Sequence, residues 1–218
     1  MTDYAAARLN MVEGQIRPNK VTDPSLIAAL LAVPREQYVP KAARSIAYVD
    51  GDIPVAAGRY VIEPMVLARL LQEAGIVDRD IALIVGCGTG YSSAIMARLC
   101  ATVVALESDP ELVRRATATL SDQGVENVAI VEGRLPDGYP QQAPYDVILI
   151  DGTVSQVPST LLDQLAEGGR LVAVVSPDGR LGQARLFERR GGVVSTRVLF
   201  DASVRLLPGF EPAVGFQF

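Results

Sequence analysis

The chain has 218 residues, 49% hydrophobic and 21% charged, with a formal net charge of −5. This length supports one α/β domain with a full core. The acidic balance argues against a nucleic-acid partner, because a phosphate backbone calls for a concentrated basic face. No apolar run approaches the roughly 20 residues of a membrane span, and the N-terminus, with Asp3, Arg8 and Glu13 among small residues, lacks the apolar core of a signal peptide, so a cytoplasmic location is expected.

Residues 1–50 read as a helical extension ahead of a core at 51–218, the whole forming a single domain. Asp23 before Pro24 is a helix-entry signal for the run Leu26, Ile27, Leu30, Leu31, and Pro34 ends it. A second helical stretch is expected over Pro40–Ala47, then a loop at Asp50-Gly51-Asp52. The next helix opens at Glu63 or Pro64, with Met65, Leu67, Leu70, Leu71 and Ala74 as its buried side. Strand 82–85, helix 92–99, strand 102–106, helix 110–120, strands 127–132 and 146–150, helix 158–166 and strand 170–175 follow, with Gly168-Gly169 as the stop of the last helix. Near-continuous apolar strands alternating with helices predict a Rossmann-like, doubly wound, mostly parallel sheet. Ala184–Arg189 reads as a strand or a short helix, Arg185, Arg189 and Arg190 as a solvated helix face, and Val193–Phe200 as an antiparallel edge. Leu206–Gly209 reads as a turn before a short end strand.

Chemistry concentrates where the first parallel strand runs into Gly86-Cys87-Gly88-Thr89-Gly90-Tyr91. Glycines there let the backbone turn sharply and approach a ligand, and the following helix points free N–H groups at it. The second strand ends in Glu107, near the spacing of an acid that binds ribose hydroxyls. The glycines fall as G-x-G-x-G, not as the dinucleotide form G-x-G-x-x-G, and no phosphate-loop motif occurs. That form, followed by the acid, resembles the S-adenosylmethionine site of class I methyltransferases. Cys87 in the loop is read as a packing choice. The two cysteines are too few for a disulfide framework or zinc site, and no histidine is present, so no metal ligand set and no catalytic acid or base is assigned.

A second resemblance lies in Val33-Pro34-Arg35-Glu36-Gln37-Tyr38-Val39-Pro40, preceded by Met11-Val12-Glu13 and Val21-Thr22-Asp23-Pro24, and in Ala143-Pro144-Tyr145-Asp146 and Leu161–Val172. These segments are similar to those of the protein-L-isoaspartate O-methyltransferases. The resemblance implies S-adenosylmethionine as cofactor, S-adenosylhomocysteine as product, and isoaspartyl carboxylates of damaged proteins as acceptor. It implies cofactor contacts at Gly86, Cys87, Gly88, Gly90, Tyr91, Glu107, Gly133 and Arg134, and acceptor contacts at Val61, Ile62, Glu63 and Pro64. Oligomeric state is not legible.

Three positions depart from the family pattern. The acid two residues before the first glycine, linked to the cofactor's amino group, is Ile84 here. Gly-Asp-Gly, whose aspartate lies near the adenine amine, is Gly133-Arg134-Leu135, with Glu132 as an alternative acceptor. The T-I-S-Q-P segment is Tyr60-Val61-Ile62-Glu63-Pro64, where Glu63 would repel a carboxylate unless a cation offsets it. Ile62 leaves open a methyltransferase with another acceptor. Ile84 and Arg134 leave open a non-catalytic relative with weakened cofactor binding.

Overall fold

A computed structural model describes residues 3–211. Five strands, β3 (Ile81–Val85), β4 (Thr102–Glu107), β5 (Val128–Glu132), β6 (Tyr145–Val154) and β7 (Leu165–Val175), pair in parallel. β8 (Gly182–Arg190) and β9 (Val193–Ala202) close the sheet as an antiparallel hairpin. The order β5-β4-β3-β6-β7-β8-β9 reverses direction between β3 and β6. Ligands of such sheets bind in the crevice outside the carboxyl ends of the strands at that reversal, which places the glycine loop after β3 and the end of β6 at its centre.

Helices α3 (Pro64–Ala74), α4 (Tyr91–Met96) and α5 (Pro110–Asp122) connect or flank the strands, each burying an apolar stripe. In α3, Leu67, Leu70, Leu71 and Ala74 are buried, whereas Met65 is half-buried. The N-terminal segment comprises α1 (Tyr4–Met11), a π turn at Val12–Ile16, α2 (Pro24–Ala32) and 3-10 turns at Arg17–Asn19, Arg35–Gln37 and Lys41–Ile46. Its Met11, Ile16, Leu26, Leu30 and Tyr38 join the same apolar cluster as Ile84 of β3 and Ala94 of α4, so this extension packs as part of the core. The expected cap is present: the Asp23 carboxylate accepts from the Leu26 N–H at 2.9 Å.

Four expectations are corrected. The stretch expected as helix 40–47 is a 3-10 turn. The helix expected over 158–166 is only α6 (Ser159–Leu162), and Gly168-Gly169 lies inside β7. A Cβ on Gly169 would stand 2.8 Å from Ala166 O and 2.9 Å from Tyr145 O, so Gly169 serves a close, irregular passage of β7 past β6, while Gly168 supplies a positive φ of 76° with open space around it. The helix expected over 92–99 stops at Met96. Arg185, Arg189 and Arg190 sit on strand β8, where alternate residues Gly182, Ala184 and Leu186 are buried.

A small hairpin of β1 (Ile53–Ala56) and β2 (Arg59–Val61) was not anticipated, because strands of four and three residues leave no periodic signal. Beyond β9 the chain returns to the crevice. Thr153 of β6 donates from its N–H to Arg205 O at 2.9 Å and from its hydroxyl to Val204 O at 2.6 Å, and its carbonyl accepts from the Leu207 N–H at 2.8 Å. The expected turn at Leu206–Gly209 thus begins as a parallel bridge from Leu206 to Thr153, and the short end strand expected after it lies outside the described residues beyond 211.

Candidate cofactor and acceptor site

The glycine loop has the backbone its sequence requires. Gly86, Gly88 and Gly90 hold φ of 84°, 56° and 92°, a region other residues enter only with strain. Gly90 precedes α4, and Tyr91, its first residue, is buried. Cys87 is buried too, and burial, reinforced by Glu107, pushes its thiol well above the ordinary range. A protonated thiol is a poor nucleophile, in keeping with a packing role.

Glu107 ends β4 facing the loop and is fully buried. Its partner is Arg59 of β2: Nη1 donates to Oε1 at 2.6 Å and Nη2 to Oε2 at 2.7 Å. Arg59 Nη2 donates also to Gly86 O at 2.8 Å. The carboxylate further accepts from the N–H groups of Gly88 at 2.8 Å, Ser108 at 2.7 Å and Asp109 at 3.1 Å. With side chains 3% and 0% exposed, this is a dry, two-pronged ion pair, the geometry in which arginine binds a carboxylate most strongly.

Asp151, which follows Ile150 of β6 and so lies beside the loop, is the second buried acid. Its Oδ2 accepts from the Ser92 hydroxyl at 2.5 Å, and its Oδ1 has no hydrogen-bond partner among the described residues. Burial pushes its carboxyl up to about 6, against the lowering influence of the Ser92 bond, Arg59 and Arg35. Arg35, fully buried, donates to Ala47 O at 2.7 Å and Ile62 O at 2.8 Å, and its guanidinium lies 4.7 Å from the Tyr91 ring centre.

The remaining expected site residues divide. Gly133 donates to Glu107 O at 3.0 Å, beside the loop's acid. Arg134 is 81% exposed and pairs with Asp137 at 3.4 Å, on the rim of a cavity of about 200 Å³ shared with Ser108, Leu135 and Pro208. Ile84 is wholly buried within β3, between Ala105 and Leu149 of the neighbouring strands. Val61, Ile62 and Pro64 are buried, and Val61 and Ile62 belong to the main apolar cluster. Glu63 lines an open cleft of about 830 Å³ together with Asp52, Tyr60, Arg180 and Arg205. Burial, and then Asp50 and Asp52, raise the Glu63 carboxyl above its ordinary range.

A nucleoside cofactor suits the backbone of this crevice but not its side chains as arranged. A Cβ built on Gly86 would stand 3.0 Å from Leu207 Cδ2 and 3.2 Å from Arg59 Nη2, and one on Gly152 would stand 2.6 Å from Leu207 Cγ. Leu207 and Arg59 thus fill the space against Gly86 and Gly152, whereas the approach to Gly88 is open to 4.0 Å. Sequence reasoning missed Arg59, Leu207, Asp151 and Arg35. Asp151 had a usable signal, an acid closing the apolar run Val147–Ile150, whereas the others arrive from a short hairpin, an irregular tail and a 3-10 turn.

Among the described residues no helix is long and apolar enough to cross a membrane, and no group of His, Cys, Asp and Glu could hold a metal ion. Residues 7–208 match the family described as Protein-L-isoaspartate(D-aspartate) O-methyltransferase. A Protein-L-isoaspartate O-methyltransferase of Methanoculleus marisnigri is 37% identical over 186 residues, 85% of this chain and 84% of the relative. One of Koribacter versatilis is 36% identical over 100% of this chain and 95% of the relative. A solved protein-L-isoaspartate O-methyltransferase superposes with a TM-score of 0.82 at 26% identity, covering 94% of this chain and 67% of its own. A putative one from Plasmodium falciparum, in complex with S-adenosyl-L-homocysteine, shares the fold with a TM-score of 0.78 at 20% identity, covering 95% and 99%. The mostly parallel sheet, the glycine loop with its buried acid and the match over nearly the whole length agree: the chain belongs to the protein-L-isoaspartate O-methyltransferase family of S-adenosylmethionine-dependent enzymes.

Proposed function

We propose that this chain methylates the carboxylate of L-isoaspartyl residues in damaged proteins, working from a form of the crevice more open than the one described above. The observation that carries this reading is the conjunction of the glycine loop, its three glycines at positive φ, with Glu107 at the reversal point of the family's sheet. S-adenosylmethionine supplies an electrophilic methyl group when bound. A carboxylate acceptor is already ionised at neutral pH, so the chain need not remove a proton, and its lack of histidine is no handicap. The protein's own work is to orient the acceptor and keep water away, which effective molarity makes sufficient for large rate gains.

The acceptor belongs in the open cleft beside β2. Arg180 and Arg205 line that cleft along with the carboxylates of Glu63 and Asp52, and Arg205 lies 5.6 Å from the Tyr60 ring centre. These cations are the offset that a carboxylate approaching Glu63 requires. A methylation assay with isotopically labelled S-adenosylmethionine, an isoaspartyl peptide and its aspartyl twin tests the proposal. A base-labile methyl ester on the isoaspartyl peptide alone is the expected result, and no incorporation into either peptide contradicts it.

A further inference from the structure

Two segments distant in sequence converge on Gly86. Arg59 comes from the three-residue strand β2, and Leu207 from the stretch beyond β9. Leu207 is only 4% exposed and is wedged against both Gly86 and Gly152. Its position is fixed by the bonds of Thr153 with Val204, Arg205 and Leu207, and by the Ser155 N–H donating to Phe210 O at 3.2 Å. Phe210, also 4% exposed, anchors the far end of the stretch in the same apolar cluster as Leu207.

Arg59 does to Glu107 what a ligand's ribose hydroxyls would do, and does it with charge. Both carboxylate oxygens are engaged by the guanidinium and by backbone N–H groups. With the guanidinium seated on both oxygens at 2.6 and 2.7 Å, no carboxylate lone pair facing the loop is left for a ligand's hydroxyls unless Arg59 withdraws. The same scaffold that identifies the site therefore carries its own occupants.

We infer that Arg59 and Leu207 hold the cofactor's place and determine which ligands the crevice admits and how tightly. The cofactor enters when Arg59 leaves Glu107 and the 204–210 stretch detaches from Thr153. This rests on the function proposed above and adds to it a pair of specificity-determining residues that act by exclusion.

Calorimetric titration of S-adenosylhomocysteine into the wild type, Arg59→Met and Leu207→Ala tests it. The methionine keeps bulk and removes charge, and Glu107 keeps its three backbone donors, so this variant retains partners for the buried acid. Each folded variant is expected to bind about tenfold or more tightly than the wild type, a change that calorimetry resolves directly. If one variant does not fold, by circular dichroism and urea unfolding, the other decides. A wild type that binds as tightly as a folded variant overturns the inference and leaves the proposed function standing. No binding by any of the three overturns both, because removing the occupants would then have uncovered no site.

Discussion

Glu107 and Asp151, both buried, lie beside the same glycine loop, yet their states are opposite. Glu107 is saturated, with a two-pronged arginine and three backbone donors. Asp151 has one hydroxyl donor and one oxygen without a partner among the described residues. A saturated buried acid is a structural anchor whose removal strands its partner. An undersupplied one is held in the fold at a cost and is ready to accept a donor or a cation. The difference marks the Glu107 end of the crevice as satisfied by the protein's own groups and the β6 end as the end with an oxygen still to be satisfied.

The largest effect should come from breaking the saturated end. Glu107→Ala leaves Arg59 buried without its counter-ion and should cost about 3–5 kcal/mol of stability in urea unfolding. A loss below about 1 kcal/mol would show that the pair is not dry, and the contrast with Asp151 would collapse.

Asp151→Asn tests the other end with the opposite sign. Burial raises this carboxyl from 3.8 to about 6. Between those values the folded protein holds a proton that the unfolded chain releases, so its contribution to stability falls as pH rises through that window and stays low above it. At pH 8 the asparagine variant, still able to accept from Ser92, should be more stable by about 2–3 kcal/mol. The difference between the two proteins should shrink toward zero below pH 4. A variant less stable than wild type at pH 8 would mean that Asp151 has a partner the account has not found.

How much of this was legible in the sequence follows from signal length. β3, β4 and β6 are continuous apolar runs whose order and parallel pairing follow from their alternation with helices, and the glycine loop with Glu107 was readable from spacing alone. Arg59 was not, because a three-residue strand has no period and its partner lies 48 positions away. Nor was the role of Leu207, in a stretch whose regular pairing among the described residues is one bridge to Thr153. The stop assigned to Gly168-Gly169 failed because a glycine serves a close strand passage as well as a helix end, and the approach of Ala166 O and Tyr145 O to Gly169 that distinguishes the two uses is not written in the sequence. Of the segment Val61–Pro64, Glu63 lines the cleft while Val61 and Ile62 are buried in the apolar cluster, a division that the alternation of a three-residue strand is too short to signal.

Smaller perturbations sharpen the same comparison. The Cβ of Gly88→Val would meet no atom closer than 4.0 Å, but the substitution imposes a φ of 56° on a β-branched residue, a strain worth about 1–2 kcal/mol. Equal unfolding midpoints for this variant and wild type would show that the loop relaxes freely. Arg134→Ala, at an exposed pair with Asp137, should change stability by less than about 0.5 kcal/mol. A larger loss would place Arg134 in the crevice rather than on its rim.

The claim that the protein occupies its own cofactor site is tested most directly by amide hydrogen exchange across residues 204–210, with and without saturating S-adenosylhomocysteine. Without it, the Leu207 N–H, bonded to Thr153 O at 2.8 Å and buried with its side chain, should exchange slowly. With it, the account predicts faster exchange at Leu207 as the stretch is displaced from β6. Protection at Leu207 that is unchanged when the site is saturated would contradict the account.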